Sequence, residues 1–182
     1  MPHDPTETDD EVNRDPKRVP ATREQIKAVA SEVRVRILQM CRRNSLTNKE
    51  IAVRLGLNPG TVLYHVRKLV ETGFLEESEP RVGNRGAREV PYRATGLSWQ
   101  LDFSPSVAPG VSRAMRQAFI AQSEDVEEMT SFSTFTAKLT EEQMQGLLGR
   151  VQEVFDEYVN LEDDDPSAKE YSVFFAAHEY RH

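Results

Sequence analysis

The 182-residue sequence is poor in several residue patterns, and each shortage excludes something. A single cysteine, Cys41, excludes an internal disulfide and a zinc site built on two or more cysteines of one chain. That usage fits a reducing compartment, so a cytoplasmic location is expected. No apolar run approaches the roughly 18 residues that a membrane-spanning helix needs. The first residues, Met1-Pro2-His3-Asp4, lack the basic and apolar regions of a secretory signal. His3, His65, His178 and His182 fall at no metal-ligand spacing, and neither a glycine-rich phosphate loop nor a nucleophile elbow is present. Asp163-Asp164-Asp165 lacks the alternating ligands and closing glutamate of a calcium loop. The expectation is therefore a protein that is not an enzyme and holds neither metal nor cofactor.

Positive charge is also in deficit. The chain has 23 Lys+Arg against 30 Asp+Glu, a formal net charge of −7. Taken whole, that argues against a polyanionic partner. The distribution says otherwise: residues 1–20 carry −3, residues 21–98 carry +6 and residues 99–182 carry −10. A basic segment lies between two acidic ones. Residues 1–20 are polar and contain Pro2, Pro5, Pro16 and Pro20, the pattern of a flexible acidic tail.

From Thr22 the apolar residues recur at helical spacing. Ile26, Val29, Ala30, Val33, Ile37, Leu38 and Cys41 mark one face, and Ser31-Glu32 suits a new helix start that divides it in two. Thr47 and Glu50 have capping-box spacing, with Leu46 and Ile51 at the hydrophobic-staple positions. The helix they open stops at Gly56. Asn58 caps a second helix, with Pro59 at its first position, Val62, Val66, Leu69 and Val70 as its buried stripe, and Gly73 beyond its end. Two helices joined by a turn of three residues are the helix-turn-helix layout. Phe74–Glu76 and Val90–Ala94 then read as strands flanking a long basic hairpin tip with Arg81, Arg85 and Arg88.

In such a layout the second helix enters the DNA major groove. With the apolar stripe of helix 59–72 turned inward, Gly60, Thr61, Tyr64, Arg67 and Lys68 form the opposite face. Lys49, in the preceding helix, is placed to meet a phosphate; His65 reads as reaching phosphate, as hydrogen-bonding across the helices, or as a buried structural histidine. In the wing, residues 79–90, Arg85 and Arg88 flank Gly86 in a form suited to phosphates or a minor groove. Cys41 lies on an apolar face and reads as a small buried hydrophobe.

Residues 29–95 resemble the ArsR-type winged helix-turn-helix regulators. The resemblance rests on Val29–Leu38, with Arg34 and Ile37-Leu38, and on Leu46–Leu57, Thr61–Leu69, Gly73-Phe74-Leu75 and Tyr92-Arg93-Ala94-Thr95. It implies a dimeric transcription factor reading a palindromic site. It does not imply metal sensing, because the segment Val33–Cys41 has one cysteine where metal-sensing members have a pair.

Residues 99–182 read as a C-terminal α+β region for dimerisation, with a small-molecule effector as a further expectation. Trp99, Leu101 and Phe103 alternate in a connecting segment. A helix is expected over Val107–Ser123, with Val111, Met115, Ala118 and Phe119 on one side. Strands are expected at Thr130–Lys138 and Tyr171–His178. Thr140 and Gln143 form a second capping box. Met144, Leu147, Val151, Val154 and Tyr158 follow at spacings of the coiled-coil type, a candidate dimer seam. Phe119, Phe132, Phe135, Phe155, Phe174 and Phe175 are candidates for an apolar effector pocket or for ordinary core.

The fold class expected is α+β, mainly α. Three parts are expected: an acidic tail over 1–20, a winged helix-turn-helix over 21–98 and an α+β region over 99–182. The function expected is a dimeric, cytoplasmic repressor that binds a palindromic operator in double-stranded DNA and no membrane. The alternative from the residues is a winged-helix protein-interaction module, whose acidic C-terminal region suits a basic protein partner.

Overall fold

The computed structural model describes residues 18–83, 86–104, 108–124, 126, 131, 133–159, 161 and 167–180. The chain divides into two compact units, Met1–Asp125 and Val126–His182. It is mixed and mainly helical, with six helices and small sheets among the described residues.

In the first unit, α1 (Arg23–Val29) opens with a capping box in which Thr22 accepts from the Gln25 backbone and Gln25 reaches back. α2 (Glu32–Met40) starts after the expected break at Ser31, whose side chain makes no capping hydrogen bond. α3 (Asn48–Leu55) and α4 (Pro59–Glu71) are joined through Gly56, Leu57 and Asn58. Gly56 sits at φ +65°, a conformation open to glycine at little cost. The Asn58 side chain accepts from the Gly60 N–H at 2.8 Å, and Pro59 occupies the first helical position, where a missing N–H costs nothing.

Leu46 and Thr47 do double duty. They form β2 (Leu46–Thr47), which pairs with β6 (Pro91–Ala94), and Thr47 is also the cap of α3. β6 lies between β2 and β3 (Leu75–Glu77), antiparallel to both. β4 (Arg81–Val82) and β5 (Arg88–Glu89) form the separate hairpin of the wing, with Arg81 opposite Glu89. A short parallel pair, which sequence periodicity does not announce, joins β1 (Val19–Pro20) to β7 (Leu101–Asp102).

Ile37, Cys41, Ile51, Val62, Val66, Leu69, Phe74 and Leu75 form one buried core. Burial of a large apolar side chain stabilises by about 1.5–3 kcal/mol, so this set fixes the mutual placement of α2, α3, α4 and the sheet. Cys41 is fully enclosed, and burial pushes its thiol up to about 12, the state of a small hydrophobe rather than a reactive thiolate.

The unit continues past the expected boundary at Ser98. Leu101 is buried, and the Phe103 ring lies 6.4 Å from that of Phe74. α5 (Pro109–Ser123) packs along α2, where Val35, Ala114 and Ala118 form a second cluster. The small side chains at 114 and 118 permit close helix approach. The expected inward face is corrected at one position: Met115 is 39 % exposed, and Ala114 takes the buried place.

In the second unit, α6 (Glu141–Val159) begins as expected. The Gln143 backbone donates to Thr140 Oγ1 at 3.2 Å, and the Gln143 side chain accepts from the Thr140 N–H at 2.9 Å. The expected strands are not formed. Residues 131 and 133–138 and the segment Tyr171–His178 carry no regular secondary structure; Thr130 and Phe132 lie outside the described residues. An extended segment becomes a strand only when a neighbour takes up its backbone hydrogen bonds, and periodicity does not supply that neighbour. Phe135 is 71 % exposed and Phe175 is also exposed, so neither is enclosed as a pocket lining would be.

Candidate nucleic-acid interface

The second helix of the pair, α4, is held from three sides. Val62, Val66 and Leu69 anchor it in the core. The Asn48 amide donates to the Pro59 carbonyl at 2.9 Å, which ties the start of α4 to the start of α3. Arg34 of α2 reaches His65 Nδ1 at 3.3 Å. What remains outward is the face opposite the stripe, as the helical period requires.

On that face Gly60, Thr61, Tyr64 and Arg67 are exposed. Tyr64 keeps 64 % of its surface in water and sets its ring edge-on to His65, centroids 5.4 Å apart. An aromatic side chain left outward on a well-packed helix is available to a partner. Arg67 is a cation beside it.

The other expected residues are arranged differently. The Gly60 N–H is already taken by Asn58, so that donor is not offered to a phosphate. Lys68 is half-buried and pairs with Glu71 at 3.1 Å. His65 is half-buried and turned to Arg34 across the helices. Burial, and then the Arg34 charge, hold the imidazole below its ordinary 6.5.

Lys49 is exposed on α3 and lines a cleft of about 470 Å³ with Val53, Arg54, Arg81, Val82 and Gly83. The cleft separates α3 from the wing hairpin. Across it Arg81 donates to Glu50 at 2.5 Å, and its Nε lies 4.0 Å from Glu89. Glu50 also accepts from the Thr47 N–H at 2.8 Å and from the Thr47 hydroxyl at 2.9 Å. The backbone N–H of Thr47, seconded by Arg81 and the hydroxyl, holds this carboxyl below the usual carboxylate range. The wing base is thereby attached to the first helix of the pair. Arg88 is exposed on β5; Arg85 lies outside the described residues.

Sequence reasoning places Arg81 in the wing without a role and gives Arg34 none. Both act on residues 31 positions away, a separation at which no local pattern gives a signal. Among the described residues no group of three or more His, Cys, Asp or Glu side chains could hold a metal ion, and no helix is long and apolar enough to cross a membrane.

Residues 29–78 match the family model of a helix-turn-helix domain. This segment runs from the end of α1 through β3, and with the hairpin that follows it is a winged helix-turn-helix, in agreement with the resemblance carried by its motifs. No curated protein matches the chain. Among solved structures it is similar to reduced HlyU from Vibrio cholerae N16961, at 25% identity, covering 51% of this chain and 83% of that one, with a TM-score of 0.34. It is similar to an ArsR-like transcriptional regulator from Rhodococcus sp. RHA1, at 22% identity, 58% and 92% coverage and a TM-score of 0.35. It is similar also to MepR in a MepR–DNA complex from S. aureus, at 18% identity, 74% and 81% coverage and a TM-score of 0.27.

Proposed function

We propose that this chain, with its winged helix-turn-helix of the ArsR-type kind, is a transcriptional regulator that binds double-stranded DNA in a sequence-specific manner as a dimer, with repression as its sign of control. The observation that carries the reading is the outward face of α4, where Thr61, Tyr64 and Arg67 are exposed opposite the fully buried Val62, Val66 and Leu69. An α-helix fits the major groove, and these side chains would meet base edges and phosphates there. Arg88 on the wing and Lys49 on α3 extend the cationic surface to the flanking backbone.

Support for the dimer comes from α6. Met144, Leu147 and Val151 are half-buried, while Val154 and Tyr158 are 52 % and 60 % exposed. A second copy would cover them, and a two-fold dimer matches a palindromic site. An unidentified small-molecule effector gains no support from Phe135 and Phe175, which are exposed.

The test is selection from a random duplex library by the full chain, followed by transcription from a promoter bearing the recovered site. Enrichment of a palindrome, and reduced transcription on adding the protein, are expected. No enrichment even at low salt, together with a stable protein partner on purification, would favour the protein-interaction reading.

A further inference from the structure

Arg34 of α2 has partners on two other helices. Its Nε donates to the Ala28 carbonyl and its Nη2 to the Lys27 carbonyl at 2.8 Å, both in the last turn of α1. Carbonyls at a helix C-terminus lack partners within the helix and carry the negative end of its dipole, so a cation there is well placed. Its remaining contact is Nη1 to His65 Nδ1 at 3.3 Å, on α4. The planar fork of a guanidinium holds several acceptors at once in fixed directions, which a lysine cannot do.

The chemistry of this contact has one solution. Guanidinium only donates, so His65 Nδ1 must be the acceptor and the ring proton must reside on Nε2. The neighbouring Tyr64 ring stands edge-on against that imidazole. The chain of contacts therefore runs from the end of α1, through Arg34 of α2, to His65 and Tyr64 on the outward-facing helix.

We propose that Arg34 is a positioning residue for DNA recognition: it fixes the His65 ring to the end of α1 and thereby sets how α4 presents Tyr64 to the bases. The inference rests on the reading of α4 as the DNA-reading helix. It assigns His65 an indirect part, through its Nδ1, rather than a phosphate contact.

Two variants of His65 separate the roles of its nitrogens. His65→Asn puts an amide oxygen near the Nδ1 position and keeps an acceptor for Arg34. His65→Gln reaches the Nε2 position and leaves Arg34 without that acceptor. Binding is read on the duplex that the wild-type chain selects from a random library and on a scrambled duplex. Arg34→Met and His65→Gln should each weaken the selected duplex about tenfold, the size of effect expected when a hydrogen bond to a charged group is lost. Both should bind the scrambled duplex within about twofold of wild type, because the phosphate-facing cations are untouched. His65→Asn should stay within about threefold on both. The reverse order, with Asn impaired and Gln tolerated, would overturn the proposal by showing that Nε2 makes the contact.

Long-range proton–nitrogen spectra of the free, labelled chain give the second measurement. They should show Nε2 of His65 protonated and Nδ1 bare in the wild type, and a loss of that preference in Arg34→Met. A wild-type ring protonated on Nδ1 would overturn the proposal without any DNA present. Failure of the wild-type chain to select a duplex would count against the reading of α4 instead, and the recognition role of Arg34 would fall with it while the tautomer result stood.

Discussion

Arg81 of the wing donates to the Glu50 carboxylate at 2.5 Å, so one acidic side chain both caps α3 and holds the wing base. The two duties differ in strength. The ion pair is exposed on both sides, and such pairs contribute about 0–1 kcal/mol. The capping box satisfies an otherwise unpaired helix-end donor and is worth about 1–2 kcal/mol. Glu50→Ala is therefore expected to lower stability by about 1–2 kcal/mol and Arg81→Ala by less than about 1 kcal/mol, as read from urea unfolding. A larger loss from Arg81→Ala would show that the wing contact, not the cap, dominates.

Two glycines should respond to alanine with opposite signs. Gly56 ends α3 at φ +65°, where a Cβ is strained even though nothing lies within 4 Å of it. Gly146 is within α6, and a Cβ there also meets nothing within 4 Å. Gly56→Ala should cost about 1–2 kcal/mol. Gly146→Ala should stabilise by about 0.5–1 kcal/mol through higher helix propensity. Thermal unfolding of both variants checks the pair, and destabilisation by Gly146→Ala would mean that α6 needs close approach at that position.

The depressed pKa of His65 sets a pH dependence. Folding favours the neutral ring, so as pH falls the unfolded chain takes up the proton first. The stability from this site is whole above the unfolded value of about 6.5 and is lost as pH falls through the lower folded value. The stability difference between wild type and His65→Gln should therefore shrink between pH 7.5 and pH 5. A difference that grows on acidification would mean that the folded state prefers the charged ring.

The exposed part of α6 gives a fourth expectation. Val154→Asp or Tyr158→Asp would place a charge on the exposed face proposed to meet a second copy. Sedimentation should show a dimer for the wild type and a shift to monomer for either variant. A wild-type monomer at micromolar concentration would remove α6 from the interface.

How much could be read from the sequence follows the range of the interactions. Thr47 with Glu50, Leu46 with Ile51, and Asn58 before Pro59 act over five residues or fewer, and the helix-turn-helix was legible from them. The contacts that orient it were not: Arg34 with His65 and Arg81 with Glu50 each span 31 positions. The end of the first unit was hidden for a similar reason, since Ala114 and Ala118 announce a close helix approach only once Val35 is beside them. The strands read at Thr130–Lys138 and Tyr171–His178 failed because alternation describes a face and not the partner that a strand requires. Of the candidate interface residues, the outward placement of Thr61, Tyr64 and Arg67 follows from the helical period alone, while Gly60, His65 and Lys68 are diverted by neighbours that the period does not reveal.

If α4 and the wing together hold DNA, binding must weaken with salt in proportion to their phosphate contacts. Fluorescence anisotropy on the selected duplex, from low to high salt, gives the slope of log affinity against log salt concentration. Each phosphate contact contributes about 0.9 to that slope. Arg67→Ala and Arg88→Ala should each make it shallower by about 1 per contact removed, and Tyr64→Ala should weaken affinity with the slope unchanged. Slopes equal to wild type in both arginine variants, with affinity retained in Tyr64→Ala, would show that α4 and the wing do not hold DNA.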